Sequence, residues 1–179
     1  LDQGALQKAL NALVERHESL RTTFVSEEGD PKQEIHPEGG FALKVIDLSE
    51  YEAADRDQRI HLIKTEEAVE PFDLNTGPLI RGVLMRVNEH EHVLLITMHH
   101  VVSDGWSMGV FFQECAALYS AYRRNRNAGL APLRIQYADY AQWQRQWFQG
   151  ARIEEQLSYW RTHLMGAPPQ LELPMDRPR

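Results

Sequence analysis

The sequence predicts an α/β fold in which a mostly antiparallel sheet packs against helices in a two-layer sandwich. Two apolar stretches, "LIRGVLMRV" and "HVLLITMHH", are separated by the polar "NEHE", which predicts an antiparallel pair of strands. Apolar residues at steps of three and four predict helices over residues 1–20 and over about 106–124. Strands and helices that follow one another in a single chain of 179 residues are typical of this fold class.

The first helix is predicted by the spacing of Leu6, Leu10, Leu13 and Leu20, and Asp2 is the expected N-cap. "RTTFV" then changes to β-branched and aromatic residues, which favour a strand. A turn over residues 28–31 and the return segment "KQEIH" complete a predicted hairpin.

"FALKVIDLS" predicts a further strand, and residues 52–69 predict a polar, charged helix. "PFDLNTGPL" predicts a loop because it contains two prolines and a glycine. After the two strong strands, one apolar stripe indicates a helix. Its members are Met108, Phe111, Cys115, Leu118 and Tyr122.

Two more helices are predicted over "YADYAQWQRQWFQG" and "RIEEQLSYWRTHL". We expect their large aromatic residues to pack in the core or between helices, namely Tyr140, Trp143, Trp147 and Trp160. A basic run precedes these helices and contains Arg123, Arg124 and Arg126. A solvated turn is the favoured interpretation of this run, and a contact with an acidic carrier protein is the alternative.

Composition limits the function classes. The formal charge of −7 argues against a nucleic-acid or anionic-membrane surface. No apolar run approaches the roughly 20 residues that a membrane span needs. The single Cys115 excludes an internal disulfide framework, so we expect a reducing, cytoplasmic location. Because the chain begins at Leu1 and ends in the proline-containing "PMDRPR", we expect it to be part of a longer polypeptide.

The stretch "MHHVVSDGW" contains the main candidate site. Side chains alternate across a strand, so His100 should share a face with Met98, and His99 should face the opposite way. Such a pair is poorly arranged to bind one metal ion, and no His-Glu-x-x-His spacing is present. A serine-hydrolase elbow is also missing, and Cys115 fits a small core residue better than a nucleophile.

Two interpretations of the histidines stay open on these grounds: a general base supported by Asp104, and a satisfied polar cluster in the core. The position favours the first, because the histidines end a strand at the lip of a sheet. A helix begins directly afterwards, where Ser103 or Asp104 can cap it and Gly105 permits a tight backbone.

"MHHVVSDGWS" resembles the core motif of the condensation domains of nonribosomal peptide synthetases, which belong to the chloramphenicol-acetyltransferase-like superfamily. Further similar stretches follow in the family's order over essentially the whole chain: "RHESLRTTF", "PFDLNTGPLIR", "YADYAQWQRQW" and "YWRTHLMGAPPQLELPMDRPR". The paired histidines argue against a heterocyclization domain, and the order Trp106-Ser107 argues against an epimerization domain. The residues of the motif favour a donor with the L configuration.

The resemblance implies that residues 1–166 form the N-terminal lobe of a two-lobe domain, and that residues 167–179 begin the connector to a C-terminal lobe. The active site would lie in a tunnel between the lobes. The implied partners are upstream and downstream peptidyl carrier proteins, the C-terminal lobe and an adjacent adenylation domain, with no nucleic acid and no membrane. Substrates would ride on carrier phosphopantetheine, and the domain itself would bind no cofactor and no metal.

The implied reaction is amide formation between a carrier-bound donor thioester and a carrier-bound acceptor amine. His100 would be the general base or a group that positions the amine, and the Gly105 N–H would be an oxyanion donor. Asp104 and Arg21 would form a buried ion pair that supports the site, and His99 would make a core hydrogen bond. The alternatives are an acyltransferase that uses free coenzyme A thioesters and an inactive lobe that serves as a docking or structural fragment.

Overall fold

The computed structural model describes residues 1–168 of the chain. Its helices and strands begin and end as follows: α1 (Gln3–Arg16), β1 (Thr22–Glu27), β2 (Asp30–Ile35), β3 (Leu43–Asp47), α2 (Ala53–Val69), β4 (Ile80–Arg86), β5 (His92–Met98), α3 (Gly105–Arg123), α4 (Tyr137–Trp147) and α5 (Ala151–His163). This mixture of small sheets and helices confirms the predicted α/β class.

The strands form two sheets. β1 and β2 make an antiparallel hairpin by themselves, as the turn residues predict. The other sheet has the order β3-β4-β5, in which β4 and β5 are antiparallel and β3 lies parallel to β4. The long helix α2 connects β3 to β4, which is the kind of crossover that a parallel pair requires.

Helices cover both faces of the three-stranded sheet. On one face, α1 and α3 pack against Ile80 and Leu84 of β4 and form the larger core. On the other face, Val83 and Met85 pack with Ile60 and Ile63 of the polar helix α2. Residues that alternate along β4 thus enter two different cores, as the period of a strand requires.

The N-terminal helix α1 forms as its sequence predicts. The Asp2 carboxylate accepts a hydrogen bond from the Ala5 N–H at 2.9 Å, which confirms the predicted cap. Ala9, Leu10 and Leu13 are completely buried. Burial of a leucine side chain stabilises a fold by about 1.5–3 kcal/mol, so this stripe is a main source of stability.

The chain divides into two compact units, residues 1–138 and 139–179. In the described part of the second unit, the aromatic residues that we expected in the core or between helices are exposed, so the core half of that prediction is wrong, and a contact between helices is seen at Trp147. Trp143 and Trp147 stack on each other along α4, and the Arg152 guanidinium of α5 lies 5.1 Å from the Trp147 ring. Apart from its first two residues, the predicted connector over 167–179 lies outside the described residues.

Candidate active site around the paired histidines

The histidines lie in a turn between β5 and α3. β5 ends at Met98, so the expectation that the two side chains alternate across a regular strand does not hold. The His99 N–H still donates to the Leu79 carbonyl at 3.0 Å, beyond the last paired residues of the strands. The His99 carbonyl then accepts from the Val102 N–H and the Ser103 hydroxyl, both at 3.1 Å, which turns the chain toward α3.

α3 begins with a reciprocal cap. The Asp104 carboxylate accepts from the Ser107 N–H at 2.7 Å, and the Ser107 hydroxyl lies 2.7 Å from the Asp104 N–H that donates to it. Hydrogen bonds with Ser107, first of all from its backbone N–H, lower the pKa of Asp104. Asp104 is therefore ionised at neutral pH. Its negative charge at the N-terminus of α3 also stabilises the helix through the helix dipole.

The His99 side chain is held on two sides. Its Nδ1 accepts a hydrogen bond from the Val101 N–H at 3.0 Å. Since a backbone N–H only donates, neutral His99 carries its proton on Nε2. The ring also makes an edge contact with Phe72, with 6.0 Å between ring centroids and 88° between planes. His99 is half-buried, and the hydrogen bond of its side chain stays within the turn.

Two residues of this site, Phe72 and Arg81, were not among the residues predicted from the sequence. The Arg81 guanidinium carbon lies 4.1 Å from the Phe72 ring centroid, on a ring that in turn contacts His99. A signal was available, since both residues belong to the quoted stretch "PFDLNTGPLIR", and Arg81 comes two residues after Leu79. Nothing local in that stretch, however, tells which ring Arg81 covers.

His100 and Gly105 are both exposed. A Cβ added to Gly105 would meet no atom within 4 Å, so the space at the start of α3 is open in the described part of the chain. Among the hydrogen bonds of the described residues, none uses the Gly105 N–H as a donor. Trp106 next to it is 85% exposed. The segment between β5 and α3 therefore carries an exposed imidazole and a helix-start N–H that is unpaired among the described residues.

The predicted ion pair between Asp104 and Arg21 is not formed. Arg21 instead lies 3.5 Å from the Glu18 carboxylate and donates to the His36 carbonyl. Its Nε is buried and has no hydrogen-bond partner in the described residues. Asp104 is exposed, and its carboxylate caps α3 by accepting from the Ser107 N–H. The two side chains therefore stabilise different segments of the chain.

Other titratable candidates fall outside this turn. His92 is the first residue of β5, and its partial burial lowers its pKa. Burial raises the pKa of the Cys115 thiol, which fits the predicted core position of that residue. No group of three or more His, Cys, Asp or Glu residues in the described part of the chain is arranged to hold a metal ion. None of the helices over residues 1–168 is long and apolar enough to cross a bilayer.

Comparison with known proteins relates these features to one family. The family model described as "Condensation domain" matches residues 1–179. The chain is 48% identical over 179 residues to one of the linear gramicidin synthase subunits of Brevibacillus parabrevis, and 45% identical over the same length to malpinin synthetase of Mortierella alpina. All of the chain is covered in both comparisons, but only 2% of each relative.

Solved structures give the same result. The X-domain from teicoplanin biosynthesis is 37% identical, with a TM-score of 0.84 over 100% of this chain and 39% of that chain. SgcC5 of Streptomyces globisporus is 34% identical, with a TM-score of 0.78 over 93% of this chain and 38% of that chain. The chain thus spans less than half the length of the solved structures that it matches.

Proposed function

Because the chain belongs to the condensation-domain family of nonribosomal peptide synthetases, we propose that it supplies the central histidine for amide-bond formation. The donor is an aminoacyl or peptidyl thioester on the phosphopantetheine arm of an upstream carrier protein. The acceptor is an aminoacyl group on a downstream carrier protein. The observation that carries the proposal is that the exposed His100 and the Gly105 N–H, which no hydrogen bond of the described residues uses, both lie in the short segment from the end of β5 to the start of α3.

In the proposed reaction, the amine nitrogen of the acceptor attacks the thioester carbonyl carbon. A C–N bond forms and the carbonyl oxygen becomes an oxyanion. The C–S bond then breaks, and the phosphopantetheine sulfur leaves and takes up a proton. The thioester is already activated, so the protein has to position the amine, accept its proton and stabilise the oxyanion.

In this proposal, His100 accepts the proton of the attacking amine. An imidazole takes up a proton near neutral pH, and an exposed ring at a turn can reach a substrate amine. General-base help of this kind contributes about 10²–10⁴-fold to a rate. The Gly105 N–H is the proposed oxyanion donor, because it lies at the N-terminus of α3, where the helix dipole favours negative charge.

His100→Ala tests this proposal in the complete domain that contains the chain. The domain is given loaded donor and acceptor carrier proteins, and the condensed product is quantified by mass spectrometry. We expect a loss of about 10²–10⁴-fold in the rate of product formation with an unchanged melting temperature. The reason is that His100 is exposed and its side chain takes part in none of the hydrogen bonds among the described residues.

His90→Ala is the matched control, because His90 is an exposed histidine in the turn that joins β4 to β5. It should retain the full rate. Equal rates for His100→Ala and the wild-type domain would refute the catalytic role of His100. A wild-type domain that forms no product from carrier-bound substrates would refute the proposed reaction itself.

A second candidate is acyl transfer to a free acceptor. SgcC5, one of the similar structures, was crystallised with a diol. A free amine or alcohol in place of the acceptor carrier protein distinguishes the two candidates. Product from the free acceptor, with no product from the loaded acceptor carrier, would favour the second.

A further inference from the structure

His100 is the middle residue of a small ring closed by a hydrogen bond. The ring begins at the His99 side chain, whose Nδ1 accepts from the Val101 N–H at 3.0 Å, and returns through the backbone of His100. The direction of the His99 imidazole therefore fixes the position of the Val101 N–H. This position in turn restricts the backbone dihedral angles of His100, which set where its side chain points.

Phe72 fixes the His99 imidazole. The two rings meet edge to face, with centroids 6.0 Å apart. Aromatic pairs in this geometry contribute beyond their buried area and have a preferred direction. Phe72 belongs to the loop between α2 and β4, so the contact joins a separate segment of the chain to the histidine turn.

Arg81 also contacts the Phe72 ring. Its guanidinium carbon lies 4.1 Å from the Phe72 ring centroid, a cation–π geometry. The guanidinium is itself held by the end of α2: Nε donates to the Glu67 carboxylate at 2.9 Å, and Nη2 donates to the carbonyls of Glu67 and Glu70 at 2.9 and 2.6 Å. A planar group with this many donors has little freedom to rotate.

We propose that Arg81 is a positioning residue for His100, which acts through Phe72 and the His99 ring. Arg81 lies on β4, and the Leu79 carbonyl two residues before it accepts from the His99 N–H. The same short segment thus holds the backbone and the ring of His99. The inference rests on the proposed function, because His100 must act on the reaction for its direction to matter.

The test uses Arg81→Lys and Phe72→Leu in the complete domain. Lysine keeps the charge and loses the planar fork, and leucine keeps an apolar side chain and loses the ring. We expect the single-turnover rate at saturating loaded carriers to fall about tenfold to a hundredfold, because misplacement of a catalytic group by about 1 Å can cost that much. The acceptor-carrier concentration that gives half-maximal rate should not change.

Two variants serve as matched controls. Arg86 lies on the same strand and pairs with Asp47 at 3.2 Å, so Arg86→Lys removes a comparable guanidinium from a contact away from the turn. Phe72→Tyr retains the ring, so as the conservative variant it should recover most of the rate that Phe72→Leu loses. Arg86→Lys should keep the wild-type rate, and the melting temperature of every variant is measured beside its rate.

Nitrogen NMR of histidine-labelled domain gives a readout that does not depend on activity. Wild-type His99, assigned with His99→Asn, should show a single tautomer with an unprotonated Nδ1, whereas Phe72→Leu and Arg81→Lys should show a mixture of tautomers. Rate loss without this change, or the change without rate loss, would overturn the proposal. A wild-type domain that makes no product refutes the proposed reaction, and an unchanged tautomer pattern in the folded variants then overturns the positioning as well.

Discussion

The two sides of the histidine turn are built differently. On the His99 side, the backbone N–H, the carbonyl and the ring are all occupied by protein groups, from Leu79, Val102, Ser103, Val101 and Phe72. On the His100 side, the imidazole and the Trp106 indole are exposed, and the Gly105 N–H makes no hydrogen bond within the described residues. Adjacent histidines can thus have opposite tasks, and the satisfied one gives the exposed one a fixed direction.

The proposed role of the Gly105 N–H on the exposed side can be tested by removing that N–H. Gly105→Pro removes the N–H that we assign to the oxyanion, and proline is well tolerated as the first residue of a helix. Asp104, the residue before it, already has the extended backbone that a following proline favours. We expect a loss of about 10²–10³-fold in the rate of amide formation, measured by single turnover, with little change in melting temperature.

Gly105→Ala is the control for this loss. It keeps the N–H, and its Cβ would meet no atom within 4 Å. It should be close to wild type in rate. If Gly105→Pro and Gly105→Ala have equal rates in folded protein, the N–H makes no contribution and the oxyanion must be stabilised elsewhere.

The contacts on the His99 side predict that replacing His99 lowers the stability of the fold. His99→Ala removes the acceptor for the Val101 N–H and the ring contact with Phe72. We expect the free energy of unfolding, measured with denaturant, to fall by about 1–3 kcal/mol. His99→Asn should recover part of this loss, because an asparagine side chain can accept from the N–H two residues later.

His99→Phe separates the two contacts. It keeps an aromatic ring beside Phe72 and cannot accept the Val101 N–H. A stability equal to that of the wild type in His99→Phe would show that the hydrogen bond is dispensable. An equal loss in His99→Ala and His99→Asn would show that the ring contact carries the whole effect.

The local elements of this fold could be predicted because they depend on neighbouring residues. Strand periodicity placed Leu94 and Val93 on opposite faces, and the structure packs them against different cores. The helix-capping role of Asp104 also follows from residues within one turn, since its partner is Ser107. The predicted boundaries of the charged helix α2 agree with the structure to within one residue.

Three features were not predicted from the sequence, and they have different physical causes. The parallel pairing of β3 with β4 joins segments separated by α2, and no turn signal indicates it. The partner of Arg21 was predicted to be Asp104. In the structure Arg21 pairs instead with Glu18, which is only three residues away in the chain. The expected alternation of His99 and His100 failed because the strand ends at Met98, where the turn bonds replace the sheet bonds.

The cap at Asp104 gives the smallest expected effect, because this carboxylate is exposed and not part of a buried ion pair. Its pKa is lowered in the folded state, so its contribution is fully present above its unfolded value of 3.8. It is lost as the pH falls through the lower folded value. Asp104→Asn keeps an N-cap side chain without the charge, so it should be less stable than the wild type at neutral pH.

The difference between the two proteins should shrink as the pH falls below about 4, because the wild-type carboxylate then takes up a proton. Thermal unfolding of both proteins at several pH values between 7 and 3 measures this difference in stability. The other carboxylates are the same in both proteins, so their titration cancels in the difference. A constant difference over this range would mean that geometry alone, and not charge at the start of α3, makes Asp104 the cap. A buried pair with Arg21 would instead make Asp104→Asn strongly destabilising at neutral pH.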